Sequence, residues 1–263
     1  MSGARNIARR TLVMGGIDLR RARVTARLLP RYLLDYRSFR EATARAGSDA
    51  VALGEPFPIT ADRSAAAGDA SSAYFQQDLW AARRIHAAAP GSHVDIGSRI
   101  DGFIGHLLAF RSVEVIDIRR LDSSVPGLTF RQEDATSLAS IPDDTVESLS
   151  SLHAVEHFGL GRYGDPLDPT ACFRAMRAMA RVLAPGGRLY FSVPIGRERV
   201  EFNAHRILDP LRVRSAFAAL DLVEFSAVDD DLRFHAAADP ADFREAREAT
   251  GLFELTKTPR PPG

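Results

Sequence analysis

The sequence predicts an α/β fold: a doubly wound, mostly parallel seven-stranded sheet with helices on both faces, preceded by an N-terminal helical arm. Three observations predict it. From His93 onward, short apolar runs alternate with stretches of helical periodicity, the pattern of strand–helix–strand crossovers. Before residue 73 that alternation is absent and arginine dominates. The chain has 263 residues, 45% of them apolar, enough to bury a core without disulfides or a structural metal.

The seven expected strands are HVDIG (93–97), VEVIDI (113–118), LTFRQ (128–132), VESLSSL (146–152), RLYFSVP (188–194), DLVEFSAV (221–228) and LFELTKT (252–258). Between the first two, Phe103, Leu107 and Phe110 recur at helical spacing. Between the fourth and fifth, Phe173, Met176, Ala180 and Leu183 form one apolar stripe. Pro185-Gly186-Gly187 then stops that helix and starts the strand. A further helix is expected from about Tyr74 through Trp80 to Ala88, stopped by Pro90-Gly91.

The arm is basic. Residues 1–46 contain 11 Arg against Asp18, Asp35 and Glu41, although the whole chain is formally neutral. After Pro30, Tyr32, Leu33, Tyr36 and Phe39 fall at helical spacing with arginines on the other side. Two roles stand open: packing on the main domain with a solvated Arg face, or peripheral contact with an anionic membrane surface or acidic partner. Residues 47–72, rich in Ala, Gly, Ser and Asp, read as a connector. The expected division is therefore arm and connector over 1–72 and a main domain over 73–263. Lysine occurs once, at Lys257, against 33 Arg, so composition rather than function explains many of the arginines.

Several classes are excluded. Cys172 is alone, which removes disulfide frameworks, thiolate zinc sites and CxxC redox chemistry. No apolar run approaches the roughly 18 residues of a membrane span. Arg5, Arg9 and Arg10 interrupt the start where a secretory signal would be apolar. The expectation is a cytoplasmic protein without a nucleic-acid partner.

In an open α/β sheet, ligands bind beyond the carboxyl ends of the strands, where strand order reverses. The first strand ends Asp95-Ile96-Gly97-Ser98, whose small residues let backbone approach a ligand. The second ends at Asp117, 20 residues after Gly97, the spacing of a carboxylate that accepts from a ribose diol. Asp134, after the third, suits an exocyclic amine such as adenine N6. Each alone serves equally as a cap or loop residue; their order is what points to a nucleoside.

Taken together, VDIGSRIDG, VIDIRRL, EDATSLASIPDDTVESLSSLHAVEHF and ARVLAPGGRLYFSVP resemble the successive motifs of class I S-adenosylmethionine-dependent methyltransferases. YFQQDLWAARRI (74–85), DIGSRIDGFIGHLL and FNAHRILDP (202–210) are similar to the DUF268 branch. The resemblance implies a Rossmann-like fold and S-adenosyl-L-methionine as cofactor. It assigns Asp95, Gly97 and Ser98 to the methionine end, Asp117 to the ribose, and Asp134 with Ala135 to the adenine. Tyr74 and Gln77 would close over the cofactor, or serve as ordinary helix residues. Arg99 and Asp101 replace the usual second and third glycines, with Gly102 one place late, so the binding turn has its own shape.

His153-Ala-Val-Glu156-His157 matches an inverted zinc-peptidase string, but follows a strand rather than lying on a helix. In methyltransferases the Glu-His pair sits beside the transferring methyl, and some relatives hold a divalent metal with an acid three residues before the Glu. His153 stands in that place, so a metal-free base is favoured, with a divalent ion held by His153, Glu156 and His157 as the alternative. His157 and His205 are the candidate bases, with Glu156 beside them. Asn203 and Arg206 could hold polar acceptor groups, and the loop around Asp165 could cover them. The expected activity is O-methylation of a hydroxyl on a sugar or glycan intermediate. The alternatives are another small natural product, a lipid-linked acceptor, or a non-catalytic partner in polysaccharide assembly.

Overall fold

The structure, a computed structural model, describes residues 19–59 and 70–259 together with Gly16 and Gly68. The arm residues before Leu19, Gly16 excepted, and connector residues 60–67 and 69 lie outside the described residues. The chain divides into two units, Met1–Asp69 and Ala70–Gly263.

The first unit carries helix α1, Leu19–Ala46, followed by a single turn at Gly47–Asp49. The helix runs on through Pro30, which removes one backbone hydrogen bond without ending it. Arg31 pairs with Asp35 at 3.0 Å and Tyr32 stacks on Tyr36, contacts of the i,i+4 helical spacing. No described helix is long and apolar enough to cross a membrane.

The second unit is the α/β fold. Its strands are β1 Val94–Ile96, β2 Val113–Asp117, β3 Leu128–Gln132, β4 Val146–Leu152, β5 Leu183–Ile195, β6 Arg199–Glu201, β7 His205–Ile207, β8 Asp221–Val228, β9 Phe234–His235 and β10 Ala249–Thr256. The main sheet has eight strands in the order β3-β2-β1-β4-β5-β10-β8-β9, and β6 and β7 form a separate hairpin. From β3 to β5 neighbours are parallel; β10 runs antiparallel to both β5 and β8. The expected count of seven is thus short by one. The extra strand, β9, pairs only two residues with β8, too few to leave a periodic signal.

Helices cover both faces. On one lie α2, Ala73–Ala88, and α3, Gly105–Leu108, the latter opened by a wide turn in which Ile104 N donates to Arg99 O. On the other lie α4, Ala171–Val182, and α5, Pro210–Ala216. Ser72 caps α2 by accepting from Phe75 N, and Ala89, in the left-handed region, ends it before Pro90. Alternation along β2 sends Val113 and Val115 to Trp80, Ile85, Phe103 and Leu107 of the first layer. Ile116 instead joins Met176, Met179 and Val182 of the second. Each such side chain, fully buried, contributes about 1.5–3 kcal/mol. Gly187 lies where an added Cβ would meet the carbonyl oxygens of Ala184, Glu147 and Val146 at 2.9–3.0 Å. Helix α4 ends at Val182 and β5 begins at Leu183, so Pro185-Gly186-Gly187 lies within the first part of the strand. Contrary to the expectation from sequence, it does not itself stop the helix or start the strand.

Strand order reverses between β1 and β4, which places a crevice at their carboxyl ends.

Candidate active site

A cleft of about 880 Å³ opens there, within the second unit. Gly97, Ser98, Asp117, Asp134, Ala135, Tyr74, Glu156, His157 and His205 all line it. These residues come from six separate places in the chain and are brought together by strand ends. Asp95, Gln77 and Gly102 do not line it.

Those three lie beneath the wall. Asp95 is fully buried. It accepts from Ser98 N at 3.0 Å, Ser98 Oγ at 2.7 Å and Ser150 Oγ at 2.5 Å. Ser98 Oγ in turn accepts from Leu152 N at 2.9 Å, so Asp95 fixes the turn after β1 to β4. Burial pushes its carboxyl up to about 6, against those hydrogen bonds. Gly102 sits in the wide turn against Asp78, where an added Cβ would lie 2.9 Å from Oδ2. Gln77 is buried and bonds Ser192 Oγ and the ring of His153 through Oε1, while its amide donates to Asp78 at 3.1 Å. Their reach into the cleft is spent on positioning.

The turn after β1 needs glycine. Gly97 has φ +70°, and a Cβ there would stand 3.0 Å from Ala154 Cβ. At the end of β2, Asp117 is already engaged. Oδ1 accepts from Arg119 N at 2.8 Å and Nε at 3.0 Å, and Oδ2 from the terminal guanidinium nitrogen at 2.6 Å. Asp134 Oδ1 accepts from Thr136 N at 2.8 Å.

The segment after β4 holds the titratable groups. His153 has φ +49°, and its half-buried ring packs 4.9 Å from Tyr74. Burial drives its pKa down to about 3, so it is neutral. Glu156 is 1% exposed and its Oε2 is buried with no hydrogen-bond partner. Burial pushes this carboxyl up to about 8, which keeps its proton at neutral pH. His157 Nδ1 lies 2.7 Å from the Ala204 carbonyl, which can only accept. The proton is therefore on Nδ1, and Nε2, 3.7 Å from Glu156 Oε1, carries the lone pair. Burial foremost, then Arg162, His205 and Arg119, lower its pKa to about 4. As a base it would therefore lose activity to protonation well below the ordinary imidazole range.

His205 lies 6.5 Å from His157, ring to ring, with Nε2 3.3 Å from Glu248 Oε1. That nitrogen makes no hydrogen bond of good angle, so the contact is charge proximity only. Arg206 is committed elsewhere: its guanidinium donates to the carbonyls of Glu156, Phe158 and Asp168, stitching the hairpin to the segment after β4. It cannot also serve an acceptor, and Asn203 does not line the cleft. Asp165 accepts from Gly159 N and Tyr163 N, shaping the loop that borders the cleft. Arg119, Arg162, Tyr163 and Glu248 are cleft residues the sequence did not single out. Among the described residues, no group of three His, Cys, Asp or Glu side chains is arranged to hold a metal ion.

A family model described as "Caenorhabditis protein of unknown function, DUF268" matches residues 136–248. It includes FNAHRILDP but not the two earlier segments that resemble the same branch. No curated protein matches. Among solved structures, the [4+2]-cyclase SpnF aligns at TM-score 0.52 with 15% identity, covering 74% of this chain and 86% of its own. The 1,6-didemethyltoxoflavin-N1-methyltransferase of Burkholderia thailandensis, solved with S-adenosylhomocysteine bound, aligns at TM-score 0.50 with 16% identity. That alignment covers 69% of this chain and 78% of the other. The resemblance to class I methyltransferases holds at the level of the fold. One of these two neighbours is a cyclase, so the reaction has to be argued from the site.

Proposed function

We propose that this chain is a S-adenosylmethionine-dependent O-methyltransferase whose acceptor is a hydroxyl on a small molecule, a sugar or glycan intermediate. The observation that carries the reading is the convergence of Asp117, Asp134 and the Glu156-His157 pair in one cleft at the β1/β4 reversal. In this reading residues 73–263 are the methyltransferase-like domain, acting in the cytoplasm, and residues 1–72 the arm and connector.

The residues present suit the cofactor. The Gly97 turn leaves backbone bare at the floor, Asp117 has two acceptor oxygens that a diol can take in place of the Arg119 side chain, and Asp134 keeps an oxygen for an amine. When bound, S-adenosylmethionine supplies a methyl group activated by its sulfonium. The chain supplies placement and proton transfer. His157 lines the cleft with its ring held by the Nδ1 contact to Ala204, which leaves Nε2 as the nitrogen to take the hydroxyl proton. The neutral Glu156 carboxyl beside it can donate a hydrogen bond to the acceptor without repelling it. No resident metal is needed for this chemistry.

The test is turnover: full-length protein, S-adenosylmethionine and a panel of free sugars, uronates and sugar phosphates, with S-adenosylhomocysteine release measured with and without chelator. Release that depends on a sugar and survives chelation supports the reading. Release only with non-sugar acceptors would retain the methyltransferase and discard the glycan.

A further inference from the structure

Five arginines line the cleft, and four of them face carboxylates. Arg99 pairs with Asp101, Arg119 with Asp117, Arg120 with Asp122 and Arg174 with Asp168. Arg162 differs: among the described residues no carboxylate lies within ion-pair distance of it. It donates to the Ala204 carbonyl at 2.8 Å, the oxygen that also orients His157. Its guanidinium lies 5.2 Å from the centre of the Tyr163 ring, and that of Arg119 lies 4.4 Å from the same ring. The ring edge meets His157 at 5.7 Å. One tyrosine thus gathers two guanidinium groups beside the candidate base, one paired with Asp117 and one bonded to the Ala204 carbonyl without a carboxylate partner.

We propose that the acceptor carries an anionic oxygen group, a carboxylate or a phosphate, that seats on Arg162 and is joined by Arg119 once the cofactor's ribose takes Asp117. The inference rests on the reading that S-adenosylmethionine binds at Asp117. A ribose diol donates to the same two oxygens that Arg119 now occupies through Nε and its terminal nitrogen. The diol and both side-chain donors cannot all be served, while the backbone N–H of Arg119 keeps its place. A displaced Arg119 remains against Tyr163 by its cation–π contact, now without a counter-charge.

Two guanidinium forks at that ring suit a planar or tetrahedral oxyanion, which accepts paired N–H bonds. The acids nearby do not compete. Asp165 spends both oxygens on backbone N–H groups, and Asp168 accepts from Thr170 and pairs with Arg174. Glu248 faces His205, and Glu156 is kept neutral by burial. Cofactor and anionic acceptor therefore bind cooperatively, each strengthening the other by the same factor.

The experiment is calorimetric titration of S-adenosylhomocysteine into the full-length protein at fixed ionic strength, with glucose 1-phosphate, glucuronate or neutral glucose present as probes. The expected result is a roughly 5-fold or greater tightening by an anionic probe and none by glucose. A response to glucose 1-phosphate alone identifies a phosphate site; a response to glucuronate alone identifies a carboxylate site. Arg162→Gln should lose the tightening. Arg119→Gln should also lose it, while binding S-adenosylhomocysteine alone at least as tightly as wild type, since the competitor for Asp117 is gone. Normal S-adenosylhomocysteine binding that ignores both anions, or a response that survives Arg162→Gln, overturns the anion site alone. Absence of S-adenosylhomocysteine binding to the wild type overturns the cofactor reading and this inference with it.

Discussion

Replacing Glu156 with glutamine keeps the shape of the side chain and removes its titration, which makes the consequence of its burial measurable. The carboxyl is 1% exposed, its Oε2 has no partner, and burial raises its pKa from 4.5 to about 8. Between those values the folded protein holds a proton that the unfolded chain releases. Stability contributed by this group is full below about 4.5 and falls by up to about 1.4 kcal/mol per pH unit as pH rises toward 8. By pH 7 the loss reaches about 3 kcal/mol, an upper figure because relaxation and water entry soften a buried charge. His153 and His157 act in the opposite sense. Their folded values are about 3 and about 4, so they erode stability as pH drops below 6.5. The variant must therefore be compared with wild type at each pH, by urea unfolding from pH 4 to 8.5. Glu156→Gln should match wild type near pH 4 and exceed it by up to about 3 kcal/mol at pH 7. Parallel curves across that range would refute the buried, protonated carboxyl.

Three further outcomes follow from the site and the arm. His157→Ala should lower turnover by roughly 10²–10⁴-fold with little change in cofactor affinity, and the wild-type rate should fall on the acid side only near pH 4; an acid limb near 6.5 would exclude His157 as the base. Gly159→Ala places a Cβ 2.0 Å from the Asp168 carbonyl oxygen at φ +76°, so denaturation should show a loss of about 2 kcal/mol or more, and an unchanged midpoint would contradict the packing of that loop. If the Arg-rich arm docks on an anionic surface, sedimentation with acidic liposomes should fall steeply with salt and vanish on deletion of residues 1–46; no binding at low salt would return the arm to a packing role.

Much of the fold was legible because burial enforces period. β3, β4 and β8 lie where the apolar runs put them. Of the predicted stripe, Met176 and Ala180 are buried on α4, while Phe173 is only partly buried and Leu183 already belongs to β5; the buried face is filled by Cys172, Met179 and Val182. β9 and the β6–β7 hairpin escaped notice, since pairs of two or three residues carry no period. Asp117 was legible from its spacing after Gly97 and the Glu156-His157 pair from the resemblance. That resemblance also assigns Asp95 to a ligand and Gln77 to a ligand or to helix packing, whereas in the structure they hold Ser98, Ser192 and His153 in place. The difference lies in which way a side chain turns at a strand end or on a helix face, which composition does not encode. Arg119 folds back on Asp117 two residues away, and the Tyr163 ring reaches two guanidiniums from a loop that contains Gly159, Gly161 and Gly164 at positive φ. Neither contact has a signature in sequence spacing.

The account stands on Asp117 as the anchor for a nucleoside cofactor, and calorimetry with S-adenosylmethionine tests that most directly. Wild type should bind with one site per chain, and Asp117→Ala should bind about 10-fold or more weakly, a loss of about 1.5–3 kcal/mol for charge-assisted hydrogen bonds to the ribose. Equal affinity in the two proteins, or no binding by the wild type, would contradict it.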